Sequence, residues 1–594
     1  MVSSDDFAKD YESRVIEEVC DAPHLRSRKV KTLGFLLLCM FGLVLLQLYR
    51  LQIADFDSWK ERAAEQHLTV EERIFPRGQI LDRNGSILAT SVPVRSIYVR
   101  PNAIKDKAFV IATLHDELGI SRDEINDKLQ SQKKFIWIAR GLPQPKVRNL
   151  ETKKIPGIGI VTESKRFYPL GEDASALIGK VNIDGAGLSG LEKRYDALLH
   201  PSQQERAVRR DAHGNPIASD LDDNDFEQTK QSPLELTIDS QLQKIVDEEL
   251  LQGLREFGGK SAVGIMVNAR TGEILAYGQA PTFNLNAAEG ISSDMLKNYA
   301  AETVYEPGSI MKPLVAAVAL EKKIVSESQK IDCENGSYYF AGKRIKDTHP
   351  SGVIPFFDVV VRSSNIGMAK IGAALGAEAL HEALTRFGFG STSGLGIPGE
   401  SRGILRPYKS WAKIDLATHA YGQGVAVTPL QVVRAVSAIA YQGILPKLSL
   451  IKNEVGEGHR ILPISIASRV REMMVGVVED EHGTGRSAAM TGGVRVGGKT
   501  GTAQKAKPGG KGYLEGKYVT SFVGFGDAQA LGVDDVLSLV VMVDEPTGKR
   551  PDGSAVSVYG GTIAAPIFKR IMTRVFHHLA TITGGQPDVA KAEN

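Results

Sequence analysis

Ser309-Ile310-Met311-Lys312 lies where Glu306-Pro307-Gly308 gives way to an apolar run of helical period, Leu314 to Leu320. A serine opening a buried helix has the lysine almost one turn on, on its own face and able to take its proton. The first turn of a helix also offers backbone N–H groups and a positive partial charge to a developing oxyanion. The spacing alone decides nothing, because Ser131, Ser410 and Ser449 are likewise followed three places on by Lys134, Lys413 and Lys452. Ser309 is singled out by two later elements. Ser363-Ser364-Asn365 precedes a second helical run and could bring a hydroxyl and an amide to the serine, although the same residue types also cap helices. Lys499-Thr500-Gly501-Thr502 holds the chain's sole Lys-Thr-Gly. Its glycine would let a ligand approach the backbone, and its lysine and hydroxyls suit a carboxylate. The competing reading is a charged edge strand that resists aggregation.

These residues need a scaffold. Strand patterns at Val263 to Val267 and Glu273 to Tyr277 flank a turn, Asn268 to Gly272, and strand patterns return at Val494 to Val496 and Leu537 to Val543. Between them lie helical runs, Ile310 to Leu320 and Val359 to Leu375. Strands at both ends with helices between predict one α/β domain whose sheet joins its termini. Upstream, from Asp55 to about Leu234, strand-like Ser96 to Val99, helical Phe109 to Leu118 and scattered prolines read as an irregular α+β region. The polar stretch Asp223 to Ser232 marks the boundary, and Gly584 to Asn594 read as a frayed tail.

Thr32 to Tyr49 is an uncharged apolar run between Lys31 and Arg50. As a helix it spans about 27 Å, close to a bilayer's hydrocarbon core. No small-residue cleavage site follows, so the run reads as an uncleaved anchor. Arg26, Arg28, Lys29 and Lys31 precede it and Arg50, Lys60 and Arg62 follow, a weak bias toward an internal N-terminus. The 594 residues leave room for two or three domains. Their 42% hydrophobic and 24% charged content excludes a mainly disordered or many-helix membrane protein. Seventy-two Lys and Arg against 70 Asp and Glu give a net charge of +2, which argues against a nucleic-acid binder. Cys20, Cys39 and Cys333 fit neither a zinc site nor a disulfide framework.

The serine-lysine, Ser-x-Asn and Lys-Thr-Gly elements in this order are the set of penicillin-binding proteins and class A β-lactamases. Over nearly its whole length the sequence resembles a class B penicillin-binding protein. Arg77-Gly78-Gln79-Ile80-Leu81-Asp82-Arg83-Asn84-Gly85, Arg166-Phe167-Tyr168-Pro169 and Gly187-Leu188-Ser189-Gly190-Leu191-Glu192 are similar to that family's pedestal motifs. Tyr305-Glu306-Pro307-Gly308-Ser309, Tyr421-Gly422-Gln423-Gly424 and Thr428-Pro429-Leu430-Gln431 are similar to its division-specific branch, while Met311 departs from the smaller or β-branched residue usual there.

The resemblance implies an α+β pedestal at 50–232 and an α/β, serine β-lactamase-like transpeptidase domain at 233–580. A cytoplasmic tail (1–31), a transmembrane helix (32–49) and a flexible tail (581–594) complete the chain. The implied activity is septal cross-linking of peptidoglycan stem peptides ending in D-alanyl-D-alanine, through an acyl-serine intermediate that β-lactams trap. Ser309 is then the nucleophile and Lys312 its base, with Lys499 a candidate for the charge that lowers the Lys312 pKa. Ser363 and Lys499 pass a proton to the leaving D-alanine, and Asn365 holds the peptide amide. Thr500 and Thr502 bind the carboxylate beside Gly501, and the N–H groups of Ser309 and Thr502 form the oxyanion hole. No metal or organic cofactor is expected. Expected partners are a SEDS-type glycosyltransferase and other divisome membrane proteins, with the catalytic domain outside the cytoplasm of the cell (inner) membrane. The alternatives are an elongation-specific transpeptidase, a β-lactamase or penicillin sensor, and a non-enzymatic divisome scaffold. The region before residue 233 is too short for a glycosyltransferase domain.

Overall fold

The computed structural model describes residues 23–60, 68–73, 76–200, 204–209, 233–287, 292–507, 509, 512–529 and 532–583. The expected boundary stretch at 223–232 and the tail at 584–594 lie outside the described residues. The chain divides into two compact units, Met1–Phe75 with Ser202–Lys230, and Pro76–Pro201 with Gln231–Asn594.

In the first unit the apolar run lies in a helix, Pro23–Tyr49, that continues through a π turn, Arg50–Ala54. The span Arg28–Ala54 has mean hydropathy 2.1 and buries none of its apolar window against protein. By length and composition it can cross a membrane. Leu68–Arg73 and Gln204–Arg209 form an antiparallel pair in this unit.

The second unit opens with the α+β region expected from the sequence. Its central strand, Ile87–Val99, pairs antiparallel with Ile136–Leu142 and Ile158–Phe167. Helices Lys107–Leu118, Arg122–Gln130 and Gln144–Lys153 cover it through a core of Ile97, Val110, Leu114, Ile125 and Val147. Asp106 starts the first of these helices by accepting from the Phe109 N–H, and Gly119 ends it at φ 71°. The three pedestal motifs converge on one buried ion network. Arg77 and Arg166 each donate to Glu192, at 2.6 and 2.7 Å, and Arg77 also pairs with Asp196 at 2.6 Å. Asp82 accepts from the Ser240 hydroxyl at 2.7 Å, and Ile80–Leu81 runs parallel to Leu234–Glu235. The first of these motifs in the sequence thus anchors the start of the α/β region.

That region begins with α1 (Ser240–Phe257), capped by Asp239, and an antiparallel hairpin, β1 (Ser261–Asn268) and β2 (Ile274–Ala280). Helices α2 (Met311–Glu321), α3 (Phe356–Val361), α4 (Asn365–Leu375), α5 (Pro429–Ala440) and α6 (Ile464–Glu479) follow. Strands β3 (Arg495–Ala506), β4 (Tyr513–Asp527) and β5 (Val536–Asp544) complete the sheet before α7 (Ala564–Thr583). The strand order is β3-β4-β5-β1-β2, so β5 joins β1 and the sheet closes the two ends of the domain, as expected.

Alternation along the strands sorts side chains into two cores. Leu537, Leu539, Val541 and Val543 of β5 pack with Val246, Leu250, Ile567 and Phe568 of α1 and α7. Val540 and Met542 turn the other way, toward Leu314, Val432 and Met473 of α2, α5 and α6. Helices on both faces explain why β1 is buried along its whole length.

Two expectations need correction. The run Val359 to Leu375 is not one helix: it breaks between α3 and α4, where Ser363 takes φ 61°. The strand beginning near Val494 does not stop at Val496, because β3 carries on through Lys499-Thr500-Gly501-Thr502.

Candidate active site

Ser309 stands on a 3-10 turn, Gly308–Ile310, that feeds directly into α2. Gly308 has φ 56° and donates its N–H to the Gly422 carbonyl at 3.0 Å, and a Cβ on Gly422 would fall 2.0 Å from the Gly308 oxygen. Only glycines permit this contact. Glu306 braces the same turn, accepting from the Gly424 N–H at 2.9 Å and from the Tyr513 hydroxyl at 3.0 Å. The next motif has a local role as well: Thr428 and Gln431 form a capping box, with Pro429 at the first position of α5.

Because α2 is buried from Met311 to Leu320, Lys312 has no exposed surface. Lys134, Lys413 and Lys452, which share its spacing behind a serine, are exposed. The Lys312 Nζ donates to the Ser363 carbonyl at 2.6 Å, to the Asn365 Oδ1 at 2.8 Å and to the Ser363 hydroxyl at 3.1 Å. Lys499, equally buried, reaches the same hydroxyl at 3.0 Å. Ser363 therefore joins two lysines contributed by elements far apart in sequence. None of these Lys312 bonds goes to Ser309, the pairing expected of a base and its nucleophile.

Burial sets the electrostatics. It pushes Lys312 down to about 7, against the opposing influence of Asp347 and Cys333. Burial also depresses Lys499 strongly, and the like charge of Lys312 depresses it further. Desolvation, rather than Lys499, is thus the main reason Lys312 loses its proton easily. A neutral Lys312 keeps two N–H donors for the Ser363 carbonyl and Asn365 and leaves a lone pair to accept a hydroxyl proton.

β3 is the sheet's edge strand, yet Lys499 is fully buried, so the solvated-edge reading fails. A Cβ on Gly501 would lie 2.9 Å from the Pro307 oxygen and 3.0 Å from Ile310 Cδ1. Glycine there lets the strand close on the Ser309 turn. The Thr500 hydroxyl meets that of Thr484 at 2.9 Å, and the Thr502 hydroxyl accepts the Gly560 N–H at 3.0 Å.

Ser363-Ser364-Asn365 is both things its residue types allowed. Ser364 caps α4 by accepting from the Gly367 N–H, while Ser363 and Asn365 face the lysines. Sequence reasoning missed Thr484, the bracing role of Glu306, and Asp347, which reads as part of a polar loop, Lys346-Asp347-Thr348. Among the described residues no group of three or more His, Cys, Asp or Glu is placed to hold a metal. Cys39 and Cys333 are free thiols.

Comparison with known proteins agrees with this arrangement. A profile described as "Penicillin binding protein transpeptidase domain" matches residues 262–573, and one described as "Penicillin-binding Protein dimerisation domain" matches residues 74–231. The peptidoglycan D,D-transpeptidase FtsI of Escherichia coli is 32% identical over 530 residues, covering 88% of this chain and 87% of that protein. A probable peptidoglycan D,D-transpeptidase PenA of Neisseria gonorrhoeae is 31% identical over 570 residues, covering 95% of both. The crystal structure of penicillin binding protein 3 of Mycobacterium tuberculosis complexed with aztreonam superposes with a TM-score of 0.64 at 25% identity, covering 87% of this chain and 99% of that one.

Proposed function

The chain belongs to the penicillin-binding protein transpeptidase family, and from that premise we propose that it is a membrane-anchored peptidoglycan D,D-transpeptidase of septal cell-wall synthesis. The observation that carries the reading is the Ser363 hydroxyl shared by two buried lysines, of which Lys312 lies one turn after Ser309. Its pedestal is taken as 50–232 and its transpeptidase domain as 233–580, a division supported by the profile matches at 74–231 and 262–573.

In the first half-reaction the Ser309 hydroxyl gives its proton to neutral Lys312 while its oxygen bonds the carbonyl carbon of the penultimate D-alanine. The carbonyl oxygen takes the negative charge, held by the N–H groups of Ser309 and Thr502. Such a donor contributes roughly 100- to 1000-fold in rate. The Lys312–Ser363–Lys499 chain delivers a proton to the amide nitrogen as the C–N bond breaks and D-alanine leaves. Asn365 holds the peptide amide, and Thr500 and Thr502, on either side of Gly501, hold the terminal carboxylate. In the second half an amine of a neighbouring stem peptide attacks the ester, its proton returns to the Ser309 oxygen, and the cross-link is released. A β-lactam enters by the first half and stays, because its leaving nitrogen remains tethered to the acyl group.

The apolar helix anchors the chain beside its substrate. The N-terminal tail is cytoplasmic and the catalytic region is extracytoplasmic, where peptidoglycan is built. With no polymerase of its own in the pedestal, the enzyme works with a multipass SEDS-type glycosyltransferase and other division proteins. Depletion in cells tests the septal role. Filaments with unfinished septa are expected, whereas rounded cells would assign the enzyme to side-wall elongation.

A further inference from the structure

Ser363 holds φ 61°, a conformation that costs a non-glycine residue on the order of 1 kcal/mol or more unless its neighbours impose it. The Ser363 and Ser364 N–H groups close this turn on the Val360 and Val359 carbonyls, and the residues just after it are held by Lys346 and Asp347, at the end of the hairpin strand Lys343–Lys346. Asp347 Oδ1 accepts from the N–H groups of Asn365 at 2.6 Å and Ile366 at 3.0 Å, and its Oδ2 accepts from the Ser364 hydroxyl at 2.6 Å. These are donors at the start of α4, where a carboxylate is favoured by the orphan N–H groups and the helix dipole. The Asn365 Nδ2 donates to the Lys346 carbonyl at 2.9 Å. An amide has one donating end and one accepting end, so fixing Nδ2 on Lys346 turns Oδ1 toward Lys312.

We propose that Asp347 is a positioning residue for the reaction: it clamps Ser364, Asn365 and Ile366 so that the Asn365 amide oxygen meets Lys312, and it keeps its carboxylate against Asn365, the Lys312 partner. This inference rests on Lys312 being the base. The charged and titratable groups facing Lys312 are Lys499 from β3, and Asp347 and Cys333 from the segments before α3 and α4. Burial pushes the Cys333 thiol up and keeps it neutral, which leaves Asp347 as the negative charge of this set. That charge favours the ammonium form of Lys312, so removing it lets the lysine release its proton at lower pH.

The test is the pH profile of penicillin acylation, followed with the full-length protein in detergent. Asp347→Asn keeps an acceptor for the backbone N–H groups and a donor for Ser364 but loses the charge. Its acid limb is expected to move down by about half a unit to one unit, less than for a fully buried pair because Asp347 is half-exposed. Asp347→Ala loses clamp and charge together and is expected to acylate at least about 10-fold more slowly across the whole pH range. Should the asparagine variant not fold, Asp347→Ser keeps a polar side chain without the charge and should show the same shift. An unmoved acid limb in the folded uncharged variant, or wild-type acylation by Asp347→Ala, overturns the proposal. Lys312→Met run in parallel separates the two ideas, since undiminished acylation there would remove Lys312 as base whatever Asp347 does.

Discussion

Replacing Lys312 by methionine should abolish acylation and, below neutral pH, stabilise the fold. The lysine ordinarily titrates near 10.5 and is held at about 7 in the folded protein. Each unit is worth about 1.4 kcal/mol, so burying the charged form costs about 5 kcal/mol. Methionine removes that cost but leaves the Ser363 carbonyl and Asn365 Oδ1 without this donor, at about 1 to 2 kcal/mol each. The Ser363 hydroxyl keeps Lys499. The balance favours methionine by about 1 to 3 kcal/mol at pH 6.5, a rise in melting temperature of roughly 2 to 6 °C. The sign with pH follows from proton binding: between 7 and 10.5 the unfolded lysine holds its proton and the folded one does not, so wild-type stability rises with pH. At pH 9 the cost is down to about 2 kcal/mol and the advantage of methionine is gone. Thermal unfolding of both proteins at pH 6.5 and 9 measures this directly. A gap that does not change with pH, or a methionine variant less stable at pH 6.5, would refute the argument from burial.

Two other substitutions probe separate links. Gly501→Ala puts a methyl group 2.9 Å from the Pro307 oxygen and 2.5 Å from Ser521 Oγ. It should push β3 off the Ser309 turn and slow acylation at least about 10-fold, with only a small change in melting temperature, as stopped-flow mixing and calorimetry can determine. Glu192→Ala leaves Arg77 and Arg166 without their shared carboxylate while their side chains are only 4% and 2% exposed. A loss of about 3 to 5 kcal/mol is expected in denaturant unfolding, and Glu192→Gln, which keeps the shape and an acceptor, should lose less.

The chemistry was legible where residue type and context coincide. Glu306-Pro307-Gly308 before an apolar run announces a helix start, and the buried α2 follows from its lack of polar positions. The hairpin of β1 and β2 was legible because Asn268 to Gly272 contains the turn chemistry itself: the Asn268 side chain accepts from Arg270 and Thr271, and Gly272 takes φ 78°. β4 escaped because Gly516, Gly524 and Gly526 dilute its alternation. Gly524 and Gly526 answer to tertiary crowding, since a Cβ on Gly526 would lie 2.5 Å from the Phe576 ring and one on Gly524 would lie 2.4 Å from the Gly497 oxygen. The break at Ser363 escaped for a related reason. Val359 and Ile366 stand seven apart, as on one helix face, while the left-handed turn is closed by the Ser363 and Ser364 N–H groups on the Val360 and Val359 carbonyls and is followed by bonds to Lys346 and Asp347 that lie outside any local window. Edge position did not predict solvation for Lys499 either, because its Nζ meets the Ser363 hydroxyl and the neighbouring Gly501 lies against the Ser309 turn.

Acylation of Ser309 with Lys312 as its base can be read by mass spectrometry of the full-length protein after brief exposure to penicillin. One penicilloyl adduct is expected, mapped to the peptide bearing Ser309, absent from Ser309→Ala and from Lys312→Arg, whose guanidinium stays protonated and cannot accept the proton. An adduct on another residue, or undiminished modification of Ser309→Ala, would contradict it.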